Sequence, residues 1–302
     1  MPFDFTCPYC HLKTLVEDRF AGTTGPCAEC GKTITLPGKS SDPAIAPVMP
    51  QSTVGKSSAR NALHVVATIL VAGTAVGLVA MFIGPALQRA RQTRNRNLCM
   101  SNMQQIVTAL NEYAKIHGSY PPPFVTDAKG KKLYSWRVLI LPQLGYDGIY
   151  KDFILDQPWD SPTNANLIRL MPEIFASPGS PDAKDVGESN YVLLTGIGTL
   201  FPTSGPLSPK DVSDQHSQTI LLAETTNNKL KWTEPGDIDA SLGITLGNRP
   251  RVDVGGNHPD GANVVAVDGT PLFLPPDVSP SMLEALKTPS GGERIDTSTL
   301  TP

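Results

Sequence analysis

From residue 61 to residue 88 the chain carries no Asp, Glu, Lys or Arg. Within that run Ala62 to Gly84 reads ALHVVATILVAGTAVGLVAMFIG. As a helix these residues would reach roughly 34 Å, enough to cross a hydrocarbon core of about 30 Å. A buried core helix is the competing reading, but such helices rarely run so far without a charge. The expectation is a single transmembrane helix over 62–84, held in a lipid bilayer. It starts about sixty residues into the chain, behind a separate module, so it reads as an uncleaved anchor rather than a signal peptide.

Four of the five cysteines lie ahead of this run. Cys7, Cys10, Cys27 and Cys30 form C-x2-C, sixteen intervening residues, then C-x2-C. Two such knuckles can aim four thiolates tetrahedrally at one zinc ion. Pro8 and Gly31 suit tight knuckle turns, and Phe3, Phe5 and Phe20 supply what apolar cover there is. A pair of disulfides, or an iron–sulfur or redox role, is compatible with the same spacing. A segment this short buries little core, however, and metal-driven folding explains it better. Residues 1–36 are therefore expected to form a zinc ribbon around one structural Zn²⁺, with no coordination position left open for water. The run from Asp18 to Gly22 ahead of Cys27, closed by Ile34-Thr35-Leu36-Pro37, resembles small bacterial zinc-ribbon modules.

Between ribbon and span, residues 37–60 contain eleven Pro, Gly or Ser in twenty-four positions and read as a flexible tether. Beyond the span, apolar residues recur at Cys99, Met103, Ile106, Val107, Leu110, Tyr113 and Ala114, the period of one helix face. Gly118 offers a C-cap, and Tyr120-Pro121-Pro122-Pro123 forbids continuation. If Pro85 only kinks the chain, one helix runs from 62 to 117, in lipid first and amphipathic afterwards. Arg89, Arg91, Arg94 and Arg96 would then lie by the lipid headgroups, although a solvated helix face carries such charges equally well.

The remainder is different in kind. Residues 118–302 hold 21 of the 29 prolines, with short apolar runs between turn residues. Val138–Leu141, Tyr191–Leu194, Ile220–Ala223, Val264–Val267 and Leu272–Leu274 read as strands, and Asp268-Gly269 as a hairpin turn. The fold class expected is α+β, a long N-terminal helix packed on an antiparallel sheet with long loops. Residues after about 288, rich in Ser, Thr, Gly and Pro, read as a disordered tail. From residue 97 onward 15 basic side chains face 23 acidic ones, which argues against a nucleic-acid partner for this part.

Enzyme signatures are missing: the chain has no H-E-x-x-H, G-x-S-x-G, G-x-G-x-x-G or phosphate loop. Its one polar constellation is Asp253, Asn257, His258, Asp260 and Asp268. Oxygen ligands at such spacing can hold Ca²⁺, and His258 with Asp268 can do acid–base work. The stronger reading is turn structure, since Asn, His and Asp before Gly stabilise turns through side-chain to backbone hydrogen bonds. Trp136 and Trp159 likewise read as loop anchors rather than ligand platforms.

An ordered set of short motifs carries a family resemblance. It begins with the hydrophobic span running into Arg-rich sequence, Cys99-Met100-Ser101-Asn102-Met103-Gln104-Gln105-Ile106, and Tyr120-Pro121-Pro122. Ser135-Trp136-Arg137-Val138 with Leu141-Pro142 follows, then Pro158-Trp159-Asp160-Ser161-Pro162 with Asn164, and Asn190-Tyr191-Val192 with Gly196. Thr219-Ile220-Leu221 with Glu224, and His258-Pro259-Asp260-Gly261-Ala262-Asn263 with Asp268-Gly269, complete it. Over about residues 86–275 the chain resembles the bacterial pseudopilin-like family DUF1559, also labelled solute-binding-like. The resemblance implies a pilin-like α+β domain over 86–287, exposed outside the cytoplasm. Members commonly begin with a prepilin leader, and pilins carry a glutamate near the start of the hydrophobic run; neither is present here. The family also often has a second cysteine before a proline, where this chain reads Ser177-Pro178. These departures argue against processing into a pilus and for an anchored monomer or lateral homo-oligomer.

Topology is contested within the sequence. A positive-inside count, Lys56 and Arg60 against Arg89, Arg91, Arg94 and Arg96, places the C-terminal part in the cytoplasm. Zinc thiolates are safest in a reducing compartment, which places the N-terminus there instead. The resemblance decides for a cytoplasmic ribbon and an extracytoplasmic domain in the bacterial cytoplasmic membrane. The function expected is non-enzymatic: a structural or adaptor role at the cell envelope, linked to secretion, with the ribbon engaging a cytosolic protein. The alternative is an envelope solute- or glycan-binding module, which requires a concave, aromatic-lined pocket.

Overall fold

The computed structural model describes residues 2–38, 57–226, 229–249, 251–256, 258 and 260–300, with most side chains between 57 and 80 and that of residue 181 left outside the description. Residues 39–56, the greater part of the expected linker, are outside it as well. The chain divides into two compact units, Met1–Ala72 and Gly73–Pro302.

The first unit opens with two small hairpins. Strand β1 (Phe3–Thr6) pairs antiparallel with β2 (Lys13–Val16), and β3 (Thr24–Pro26) with β4 (Thr33–Thr35). Each hairpin closes on one C-x2-C, and the two turns repeat the same backbone bonds. Cys7 N–H donates to Leu12 O at 3.0 Å and Cys27 N–H to Lys32 O at 2.9 Å. His11 and Gly31 donate back to the carbonyls of Cys7 and Cys27. Both of these residues have a left-handed backbone, with φ of 56° and 67°. Glycine adopts that conformation without strain, so Gly31 is the natural occupant and His11 the costly one.

Helix α1 runs Ser57–His117 without interruption at Pro85. Among the described residues no helix is long and apolar enough to cross a membrane. More than half of the side chains of the expected span, 62–84, lie outside the described residues. The C-terminal part of α1 carries the stripe read from the sequence. Cys99, Met103, Ile106, Val107, Leu110 and Ala114 are all buried, and Tyr113 is half-buried. Gly118 ends the helix with φ of 89° and donates to Ala114 O at 2.8 Å.

After α1 the chain builds short elements joined by long loops. In order they are β5 (Phe124–Thr126), β6 (Lys132–Ser135), α2 (Trp136–Leu139), α3 (Asp147–Asp152), α4 (Pro181–Asp185), β7 (Tyr191–Val192) and β8 (Leu194–Thr195). There follow β9 (Ile220–Glu224), β10 (Ile238–Asp239), β11 (Thr245–Leu246), β12 (Asp253–Val254), β13 (Ala262–Ala266), β14 (Pro271–Leu274) and α5 (Pro280–Lys287). The result is a mixed fold of helix with small sheets, most of them antiparallel. The largest sheet has the order β14-β13-β9-β7, antiparallel throughout. The β13–β14 turn contains Asp268-Gly269, as the sequence suggests, and Gly269 has φ of 89°.

Every residue of β9 and β13 is buried, because both faces of the sheet are covered. On one face Leu222 and Val265 join the α1 stripe, Tyr120, Trp136 and Phe175 in one core. On the other, Ala223 and Val264 meet Leu283 and Leu286 of α5 and, from the C-terminal segment, Leu300. Two covered faces explain why these strands read as continuous apolar runs rather than alternating ones.

Two expectations are corrected here. The apolar run Val138–Leu141, expected as a strand, begins inside helix α2. Ser135 caps that helix by accepting from Arg137 N–H at 3.3 Å. A four-residue apolar run does not distinguish helix from strand by period alone, and here the cap and the buried Arg137 decide. Residues 288–300, expected as a disordered tail, are folded back. Gly291 and Gly292 donate to Asp214, Gln218 donates to Ile295 O, and Leu300 is buried at 2% exposure.

Candidate functional site

Among the described residues two clusters of Cys, His, Asp and Glu are tight enough to hold a metal ion, with ligand atoms within 4.8 Å of one another. One is Cys7, Cys10, Cys27 and Cys30; the other is Cys99, Glu224 and His258.

The first cluster follows from the matched turns. Each hairpin presents two sulfurs, and the four meet with Cys7 Sγ 3.9 Å from Cys30 Sγ and Cys10 Sγ 3.8 Å from Cys27 Sγ. Those two separations match the edge of about 3.8 Å of a tetrahedron whose centre lies about 2.3 Å from each vertex. None of the four is in a disulfide. Backbone N–H groups turn inward at the first sulfur of each pair. The amides of Cys10 and Tyr9 hold the Cys7 thiol below its usual range. The amides of Cys30 and Glu29 bring Cys27 down to about 6. At Cys10 the Leu12 amide acts in the same sense, but burial and the neighbouring thiols outweigh it and push the group up to about 12. Four sulfurs this close cannot all ionise without a cation between them, and a metal ion supplies one.

The second cluster joins three distant parts of the chain. Cys99 comes from α1, Glu224 ends β9, and His258 precedes β13. Cys99 Sγ lies 2.9 Å from Ser177 Oγ, which in turn donates to Glu224 Oε1 at 3.2 Å. Asn263 Nδ2 donates to Glu224 Oε2 at 2.9 Å. His258 Nε2 stands 3.2 Å from the same oxygen yet makes no aligned hydrogen bond to it. Burial, reinforced by the Glu224 carboxylate, pushes the Cys99 thiol up to about 12. Ser177 thus occupies the place facing Cys99 where the family resemblance implies a second cysteine.

The constellation read from the sequence is distributed rather than gathered. Asp253 is buried and its oxygens serve Arg249, at 2.7 Å, and Thr245. Arg249 holds this carboxyl down at about 2. Asp268 sits in the β13–β14 turn, where its Oδ1 accepts from Thr270 N–H at 2.8 Å. Asp260 is exposed, and Asn257 lies outside the described residues. Among the described members only His258 enters a cluster, with partners the sequence reading passed over. The available signals were slight: a glutamate closing the apolar run Ile220-Leu221-Leu222-Ala223, and a cysteine on the buried stripe of α1.

Trp136 is wholly buried. Its Nε1 donates to Asp237 Oδ1 at 3.1 Å, beside the buried pair of Arg137 with the same oxygen at 3.3 Å. Trp159 packs at the edge of the first core, and its N–H donates to Leu133 O at 2.7 Å. The cleft of about 700 Å³ that His258 lines contains neither tryptophan.

No curated protein matches this chain. No solved structure does either. The profile of the family described as protein of unknown function (DUF1559) matches residues 88–249, more than half of the chain and nearly all of the segment between the arginine cluster and Arg249. With a match over more than half of its length, the chain belongs to the DUF1559 family.

Proposed function

We propose that the chain is a non-enzymatic, single-pass protein of the bacterial cytoplasmic membrane. A zinc ribbon would face the cytosol, and a pseudopilin-like DUF1559 domain would lie outside. The observation that carries this reading is that the uncharged run from 61 to 88 and the buried stripe from Cys99 to Ala114 belong to one helix, α1. Anchor and domain scaffold are then one element, and the chain is a physical link rather than a catalyst. Four thiols at tetrahedral spacing with no site left for water support Zn²⁺ as the ribbon's ion, in a structural role. The ribbon would recruit a cytosolic protein, and the domain would act in envelope organisation or secretion, singly or as a lateral homo-oligomer.

The solute- or glycan-binding alternative needs aromatic faces around one concavity. Trp136 is sealed in the core, and the cleft beside His258 has no aromatic lining. Calcium at the sequence constellation is likewise unsupported, since Asp253 is engaged by Arg249 and Asp268 by its own turn.

The test is one of topology. A tag on the C-terminus is followed in cells opened only at the outer envelope and treated with protease. Loss of the tag with survival of residues 1–36 is the expected result. A protected tag would place the domain in the cytoplasm, leave the envelope role without support, and make an intracellular scaffold the better reading.

A further inference from the structure

We propose that Cys99, Glu224 and His258 form a second metal site, inside the second compact unit, for a borderline-soft divalent ion of the Zn²⁺ class. The three side chains come from α1, the end of β9 and the segment leading into β13, yet their ligand atoms lie within 4.8 Å of one another. A thiolate, a carboxylate and an imidazole are the ligand types such ions prefer, whereas Ca²⁺ and Mg²⁺ require a shell of oxygens.

Three further features point to a cation. His258 is buried, its side chain 4% exposed, and its Nε2 has no hydrogen-bond partner although it faces the cluster. A buried polar atom left without a partner costs of order 1–3 kcal/mol unless something fills the role. Glu224 is fully buried, and among the described residues no Lys or Arg side chain pairs with it. Ser177 and Asn263 donate to its two oxygens but bring no charge, and Asn263 Oδ1 is itself without a partner. Buried carboxylates are ordinarily paired or bound to a metal. Finally, the backbone is drawn close. A Cβ on Gly256 would stand 2.7 Å from Glu224 Oε2 and 2.8 Å from His258 Cδ2, so only glycine fits against the cluster.

The supporting shell and the access route are present as well. Ser177 Oγ, 2.9 Å from Cys99 Sγ and donating its one proton to Glu224 Oε1, is placed to serve as a fourth ligand through its free lone pair. His258 lines the cleft of about 700 Å³ together with Gly247, Gly255 and Gly261, which gives an ion a path inward. Binding would exchange the Cys99 thiol proton for the ion and release it to solvent, with no redox change. The site would clip α1 to the central sheet. It is structural in character, because Cys99 and Glu224 are sealed in the core and only His258 lines the cleft.

The experiment uses the untagged full chain, with the metal determined directly and Co²⁺ as a spectroscopic probe. About two equivalents of Zn²⁺ per chain are expected, falling to about one in His258→Ala and to about one when the four ribbon cysteines are replaced by serine. In that ribbon variant Co²⁺ should give a thiolate charge-transfer band, lost in a further Cys99→Ser substitution and retained in Ser177→Ala. The thermal transition of the domain checks that it is folded in each variant, and the near-isosteric Glu224→Gln should likewise lose about one equivalent. One equivalent in the native chain, falling to none in the ribbon variant with its domain still folded, would overturn the proposal and leave His258 beside Glu224 without a metal. The outcome is independent of topology, so the two readings stand or fall separately.

Discussion

Residues 2–38 and residues 99–300 bury side chains on very different scales. In the first stretch the only buried members of the hydrophobic class are Cys7 and Cys27, while Tyr9, Leu12, Leu15 and Phe20 are exposed. In the second, two apolar clusters fill both faces of the β14-β13-β9-β7 sheet. A module with four short strands and no apolar interior cannot offset the entropy of ordering its backbone. Its four close cysteines could supply what the core does not, by holding a metal ion. The domain draws on packing and needs no ion to be compact, so a metal there can only add a local clip.

The largest effect should come from removing the metal from the ribbon. Structural zinc sites contribute about 10–16 kcal/mol of apparent folding free energy, so a strong chelator should unfold residues 1–36 outright. Amide dispersion by NMR should collapse for that segment while the thermal transition of the domain stays in place. Because thiolates and not thiols bind, protons compete with the ion and metal should be released as pH falls. Coincident loss of both units on chelation would contradict the contrast drawn above.

The domain should break elsewhere, at Arg137 and Asp237. Their side chains are 0% and 2% exposed, and Asp237 Oδ1 also accepts from Trp136 and Leu193. Asp237→Ala leaves the Arg137 guanidinium buried and uncompensated, at a cost of about 3–5 kcal/mol. Thermal unfolding of the domain should shift accordingly, with ribbon metal content unchanged. A shift of under about 1 kcal/mol would mean that water reaches Arg137.

Ser177→Cys sharpens the comparison from the other side. With Ser177 Oγ 2.9 Å from Cys99 Sγ, the introduced thiol should form a disulfide in oxidant, gaining about 2–4 kcal/mol. Non-reducing peptide mapping reads the bond directly. It would also tie up the sulfur proposed for the second metal, so the oxidised variant should bind about one equivalent less.

A smaller effect is expected at Asp253, whose carboxyl is held near 2 by Arg249. A depressed folded pKa contributes stability that is full above the unfolded value of about 4 and is lost as pH falls from there through about 2. Arg249→Ala should flatten that acid limb of the stability curve while changing stability far less at neutral pH than Asp237→Ala does, since Arg249 is largely exposed. An unchanged acid limb in the variant would assign the acid sensitivity to another carboxylate.

What was legible in the sequence is what local spacing encodes. The knuckles are set by pairs three residues apart, the α1 stripe by a helical period, its end by Gly118, and the β13–β14 hairpin by Asp268-Gly269. Each of these depends on neighbours within about one turn or one hairpin, so each leaves a pattern in the chain. The centre of the domain leaves none. Arg137 meets Asp237 a hundred positions on, Cys99 meets Ser177 seventy-eight on, and His258 reaches Glu224 across the β9–β13 pairing. Leu300, at the end of a polar segment, is buried in the apolar cluster on the far face of the sheet. The sequence by itself determined the grouping of the four N-terminal cysteines, the long helix and the positions of the main strands. Only the tertiary structure decided which buried polar groups face each other, because that depends on packing between remote segments, for which no short-range period exists.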